Sequence, residues 1–139
     1  MIEQGFCQLI LTGITGQFTP EIQMFAVQLP ENWITSANPK GLTFRTIASD
    51  PGPYILEGQD PLTTWHVQVD CWGESMTDAM HLARAVDGVV RGGFAGILTD
   101  PDSTVVQMIK RLPGMTDGYN SAARNYCRSL EYEVIYVDQ

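Results

Sequence analysis

This chain has few basic residues: Lys and Arg total 8 against 16 Asp and Glu, none occurs before Lys40, and the formal net charge is −8. A surface of that sign repels phosphate over most of its area, which argues against direct DNA binding. The basic residues are scattered, with only Lys110 and Arg111 adjacent, so they make no nucleic-acid footprint. Histidine is equally scarce. His66 and His81 are the only two, and a metal cluster with Asp70 or Asp78 fails on reach: His66 and Asp70 are four strand residues apart, roughly 13 Å. Asp100-Pro101-Asp102 lacks the further ligands and closing Glu of a calcium loop and reads as a turn. No GxSxG elbow is present, and RGGFAG (91 to 96) has neither phosphate-loop spacing and follows a helical pattern instead of preceding one. It reads as a helix stop and connector. The three cysteines, Cys7, Cys71 and Cys127, are odd in number and far apart, so they are expected to be buried free thiols. No apolar run reaches the roughly 18 residues of a spanning helix, and the opening MIEQGFCQLI has no basic leader region. The expectation is a protein made in the cytoplasm, with no membrane, no metal, no cofactor and no catalytic residue.

What is present is a single-domain length of 139 residues with 44% hydrophobic content, enough for one core without disulfides. Ile2, Phe6, Leu9 and Ile10 make one apolar stripe on a short opening helix ended by Gly13. Residues 22 to 29, with Phe25, Val27 and Leu29 alternating, read as a strand closed by Pro30. Five of the eight prolines fall from Pro30 to Pro61, a stretch expected to be strand and loop with LTFRTIA (42 to 48) its most strand-like piece. From Thr63 to Gly73 the pattern is strict: Trp65, Val67, Val69 and Cys71 are apolar, and His66, Gln68 and Asp70 are polar. Ser75 with Asp78 three residues on then opens a helix whose Ala79, Leu82, Ala83, Val86, Val89 and Val90 recur at helical spacing up to Gly92-Gly93. That helix should pack on the preceding strand. Asp87 and Arg91, at i and i+4, read as a solvated pair on its outer side.

Residues 104 to 112 and 123 to 138 read as strands joined by a long hairpin loop, 113 to 122. The order α-β-β-β-α-β-β predicts an α+β domain: an antiparallel sheet of four to five strands with two helices packed on one face. In the loop, Met115 and Tyr119 stand among small polar residues and are candidates for an assembly contact. On the last strand Tyr132, Val134 and Tyr136 alternate with Glu131 and Glu133, so the two glutamates should project from the face away from the helices, as should Asp70.

The run WHVQVDCWGESMTDAMHLARAVDGVV (65 to 90) resembles the strand-into-helix signature of the tail terminator, or tail completion, proteins of long-tailed phages, which sit at the head-tail interface. Gln68, Val69, Asp70, Trp72, Ala79, Leu82, Ala83, Ala85 and Val86 carry the match. The opening helix, the strand ending Leu29-Pro30 and a closing strand from Arg128 to Tyr136 fit the same layout. Asn32 to Gly58 has no counterpart, and the loop from Pro113 to Ala122 is long for the family. The resemblance implies a structural virion protein at the head-proximal end of the tail. It would form a homo-oligomeric ring, a hexamer, that ends the tail tube protein's polymer and docks the head connector. DNA would pass through its lumen without specific binding. Asp70, Glu131 and Glu133 are then candidates for a negative lumen wall. Two other readings stay open: a head-tail stopper or other minor tail protein, and a ligand-binding domain or enzyme of α+β fold.

Overall fold

A computed structural model describes residues 2–51, 62–90, 95–98, 103–121 and 125–137. The opening helix, α1 (Ile2–Gly13), forms as its stripe requires, with Ile2, Phe6 and Ile10 buried. It is followed by β1 (Met24–Ala26), β2 (Lys40–Pro51), β3 (Leu62–Gly73), α2 (Met76–Val90), β4 (Gly96–Ile97), β5 (Val105–Arg111), β6 (Thr116–Asn120) and β7 (Asn125–Val137). The start of α2 is capped as the sequence indicates: Ser75 Oγ accepts from the Asp78 N–H at 3.1 Å, leaving one less orphan donor in the first turn. The Gly92-Gly93 stop, Arg91 and the Asp100-Pro101-Asp102 turn lie outside the described residues.

The expected sheet of four to five antiparallel strands is corrected in both respects. Seven strands make one curled, mixed sheet, with the order β1-β2-β3-β7-β5-β4 and β6 also paired with β7. It is mixed because β1 runs parallel to β2, in the register Met24↔Leu42 to Ala26↔Phe44. The alternation that suggested a strand from 22 to 29 breaks at Val27, whose φ of 68° is strained for a β-branched residue. There the Gln28 N–H bonds to the Ala26 carbonyl at 2.8 Å, a tight three-residue turn, and the loop to Pro39 carries the chain back to begin β2 in the same direction.

The second correction concerns residues 113 to 122. They are not an open loop: after a kink at Pro113-Gly114, where Gly114 has φ 94°, Thr116–Asn120 pairs antiparallel with β7 as β6. All five of its residues are exposed, so it has no alternation of buried and exposed positions for a sequence reading to detect. What holds β6 is the backbone ladder, a two-point contact from Arg128 to Asp117 at 2.8 and 3.0 Å, and the Tyr119 ring against Tyr126 at 4.7 Å. Register breaks at Thr46/Ala48 in β2 and Val106/Met108 in β5 add local twist, consistent with the sheet's curl.

Both helices lie against one face of the sheet. Trp65, Val67, Val69 and Cys71 of β3 and Leu130, Tyr132 and Val134 of β7 are buried there with Leu82, Ala83 and Val86 of α2. Phe6 of α1 meets Trp65 edge-on, with ring centroids 5.4 Å apart. Close approach is possible because a glycine sits at each junction. A Cβ on Gly73 would lie 2.5 Å from the Ala79 nitrogen, and one on Gly13 equally near Val89 Cγ2. Leu82→Ala should therefore cost about 2–5 kcal/mol as a large-to-small change in a packed core. Urea unfolding measures it, and an unchanged midpoint would mean that α2 does not cover this face.

Candidate functional site

The candidate lumen residues share the sheet face turned away from the helices, because side chains alternate across β3 and β7. The register pairs Asp70 with Ser129, Gln68 with Glu131 and His66 with Glu133, so all three acids lie within a few residues on adjacent strands. They are not equivalent. Asp70 is buried, 8% exposed, and its Oδ1 accepts from Ser129 Oγ at 2.5 Å and from Gln68 Nε2 at 2.8 Å. Its carboxylate therefore ties β3 to β7 and offers little charge to solvent. Glu131 and Glu133 are half-buried, and Glu131 Oε2 stands 3.8 Å from His66 Nε2, beyond hydrogen-bond reach.

The candidate assembly residues are exposed, Met115 by 52% and Tyr119 by 55%. Met115 is at the kink before β6, beside Arg84, Arg111 and Arg128 in a crevice of about 170 Å3. Tyr119 stands on β6 itself.

One group departs from the sequence expectation. Asp87, expected on a solvated face with Arg91, is 7% exposed and turned toward the sheet. Its Oδ2 accepts from Arg111 Nη1 at 3.0 Å and its Oδ1 from the Tyr132 hydroxyl at 3.1 Å. A carboxylate on α2 thus joins β5 to β7. Spacing within the helix could not show this, because both partners come from strands at least 24 residues away. Burial beside Asp87 pushes the Tyr132 phenol far above its ordinary range.

The three cysteines are free, with Cys71 and Cys127 buried and Cys7 half-buried. Burial raises all three thiols, those of Cys7 and Cys127 to about 12. They are held as thiols, the less nucleophilic form. His66 and His81 do not meet: His66 stands on the sheet face opposite the helices, while His81 is exposed on α2, beside a groove shared with Gly13 and Phe18. Among the described residues no three His, Cys, Asp or Glu converge as metal ligands would.

No family model matches this chain, and no curated protein does. Its fold is similar to that of a chain in the virion of a native gene transfer agent particle. The two superpose with a TM-score of 0.50 at 9% sequence identity, over 99% of this chain and 92% of that one.

Two outcomes test the buried contacts. Asp87→Ala should cost about 3 kcal/mol, because it strands Arg111 and the Tyr132 hydroxyl, whereas Tyr132→Phe should cost about 1 kcal/mol for one hydrogen bond. Stability should also fall in alkali. The unfolded chain releases its thiol and phenol protons near pH 9 and 10, while the folded chain holds them, so rising pH favours unfolding above about pH 9. Tyr132→Phe should weaken that dependence above pH 10, and an unaltered pH profile of the melting temperature would contradict the burial of the phenol.

Proposed function

We propose that this chain is a structural virion protein, a subunit that works by assembling and carries no reaction of its own. The observation that carries the reading is the end-to-end likeness of its fold to a chain of a virion particle. The sequence adds the finer part: the strand-into-helix match from Trp65 to Val90 supports a tail terminator, a hexameric ring that ends the tail tube and meets the head connector. The buried carboxylates support an architectural role, since Asp70 and Asp87 each bind groups on neighbouring strands and are thereby tied into the fold.

In such a ring DNA passes close to protein without binding it. Glu131 and Glu133 are the proposed lumen charges, with Asp70 beneath them as a strand tie. Half-exposed carboxylates repeated around a channel repel phosphate and keep its affinity low. Met115 and Tyr119 are proposed contacts to neighbouring subunits, since exposed Met and Tyr are favoured in contact surfaces.

Native mass spectrometry and electron microscopy of the protein, alone and with tail tube subunits, test the reading. A closed ring that seats on tube ends is the expected result. A monomer that ignores the tube would overturn it, and a ring that binds the head connector but never the tube would favour a head-tail stopper. The lumen assignment has its own test in a Glu131→Lys, Glu133→Lys double variant. Lysines in the channel would grip phosphates, so particles should assemble but eject DNA slowly, with the delay relieved by added salt. Wild-type ejection kinetics would put those side chains elsewhere.

A further inference from the structure

Among the described residues the curled sheet leaves several edge segments open, the outer edges of β1 and β4 and of β5 beyond Val106 among them, and two others are offset from each other. On one side β1 covers β2 only from Leu42 to Phe44, so among the described residues β2 has no strand partner on that edge from Arg45 onward. Residues 45 to 49 are all exposed. On the other side the strand partner of β6 among the described residues is β7, and all five of its residues are exposed. Natural sheets blunt such edges with charged residues or Pro; β6, TDGYN, has neither Lys nor Pro, while the open part of β2 begins at Arg45 and ends at Pro51. The one charge of β6, Asp117, is turned to Arg128, whose hydrogen bonds hold its carboxyl below the usual range.

We infer that the outer edge of β2 beyond Phe44 pairs with the outer edge of β6 in a second copy of this chain, so that the sheet continues from subunit to subunit. The inference rests on the ring-forming reading above and names the contact that closes the ring. Three features support this partner. The first is direction: β2, β3, β7 and β6 are successively antiparallel, so in a ring of identically oriented copies β6 meets the next β2 antiparallel. The second is the type of contact. The two edges are different surfaces on opposite sides of one sheet, which gives a head-to-tail interface of the kind that closes rings.

The third feature is the offset. The middle of the open β2 edge, Ala48, is level through His66 with Glu133 on β7, while the middle of β6, Gly118, is level with Cys127. Joining the two centres shifts the register by six residues per subunit. At about 3.3 Å per residue that is about 20 Å along the strands, against about 19 Å across four strand spacings, which tilts the strands by about 45°. Closed sheets tilt by about 35–45°, so the offset is close to what closure needs. Ile47, at the register break and 44% exposed, and Tyr119 supply apolar side chains beside the join.

Cysteines at Ala48 and Gly118 test the pairing. Ala48 is exposed, and a Cβ on Gly118 meets no atom within 4 Å, so both sites should accept the change. Directly opposed strand residues stand at Cα distances of about 4.5–5.5 Å, within disulfide range. Under copper-phenanthroline oxidation the Ala48→Cys, Gly118→Cys double variant should give a ladder of covalent oligomers on non-reducing gels, ending at the ring. An equal mixture of the two single variants should stop at dimers. Each single variant alone should stay monomeric, like the wild type with its native thiols. Homodimers of a single variant would mean a two-fold contact and overturn the head-to-tail pairing. Rings seen by electron microscopy that fail to cross-link, with cysteines also tried at Thr46, Thr116 and Asn120, would overturn the edge pairing and leave the ring reading standing. Absence of any ring would defeat both.

Discussion

The β3–β7 ladder is the constraint on which the remaining structure depends. It runs without a register break from Leu62↔Val137 to Gly73↔Tyr126, with the long strands locked side by side. Because side chains alternate, this single pairing fixes two surfaces at once. One presents Trp65, Val67, Val69, Leu130, Tyr132 and Val134 to the helices, and the other sets Asp70 against Ser129 and Gln68 near Glu131. A one-residue slip would exchange the surfaces, burying the glutamates and exposing the core. The Asp70–Ser129 hydrogen bond works against such a slip from the polar side, and the packing of Phe6 on Trp65 and Tyr132 works against it from the apolar side.

The parts of the fold that depend on this ladder were the ones legible in the sequence. The alternation from Trp65 to Cys71, the Ser75 cap and the helical spacing from Ala79 to Val90 all describe burial against one face, and each formed as read. Elements held by other means were missed. β6 has no buried side chain, so period-2 reasoning passes over it, although Arg128, Asp117 and the Tyr119–Tyr126 pair hold it in place. β1 is shorter than its pattern predicts because Val27 is apolar and in phase, while its backbone takes a left-handed turn that side-chain pattern does not reveal. Asp87 was misread because helix spacing sees only neighbours on the same helix. A carboxylate becomes an internal tie when strands supply its donors.

The placement of charge follows from the same geometry. Of the described acids, those near the middle of the molecule are tied into the fold: Asp70 to Ser129 and Gln68, Asp87 to Arg111 and Tyr132. The half-exposed Glu131 and Glu133 lie on the sheet face opposite the helices, with His66 across from them. The lumen role proposed above needs repulsion of phosphate at short range and no cluster of lysines to hold it. A crevice lined by three arginines, Arg84, Arg111 and Arg128, opens on the helix side instead, where two of the three are paired with Asp87 and Asp117.

Sheet edges and exposed side chains bear on the assembly proposed above. Among the described residues the exposed large apolar residues are spread over the surface: Val27 follows β1, Ile47 is on β2, Leu62 opens β3, Ile97 is on β4, Met108 on β5, and Met115 and Tyr119 are at β6. Single apolar residues at this spacing are ordinary for a monomer's surface. Backbone edges differ in kind. Their donors and acceptors are satisfied by water in the free subunit, so they cost little until a matched edge arrives, and a matched edge must have the right direction and register. An interface built chiefly from edges therefore trades raw affinity for geometric selectivity. For the ring proposed above, which must stop at a fixed number of subunits, selectivity is the property that matters, because a contact tolerant of other tilts would extend into an open filament.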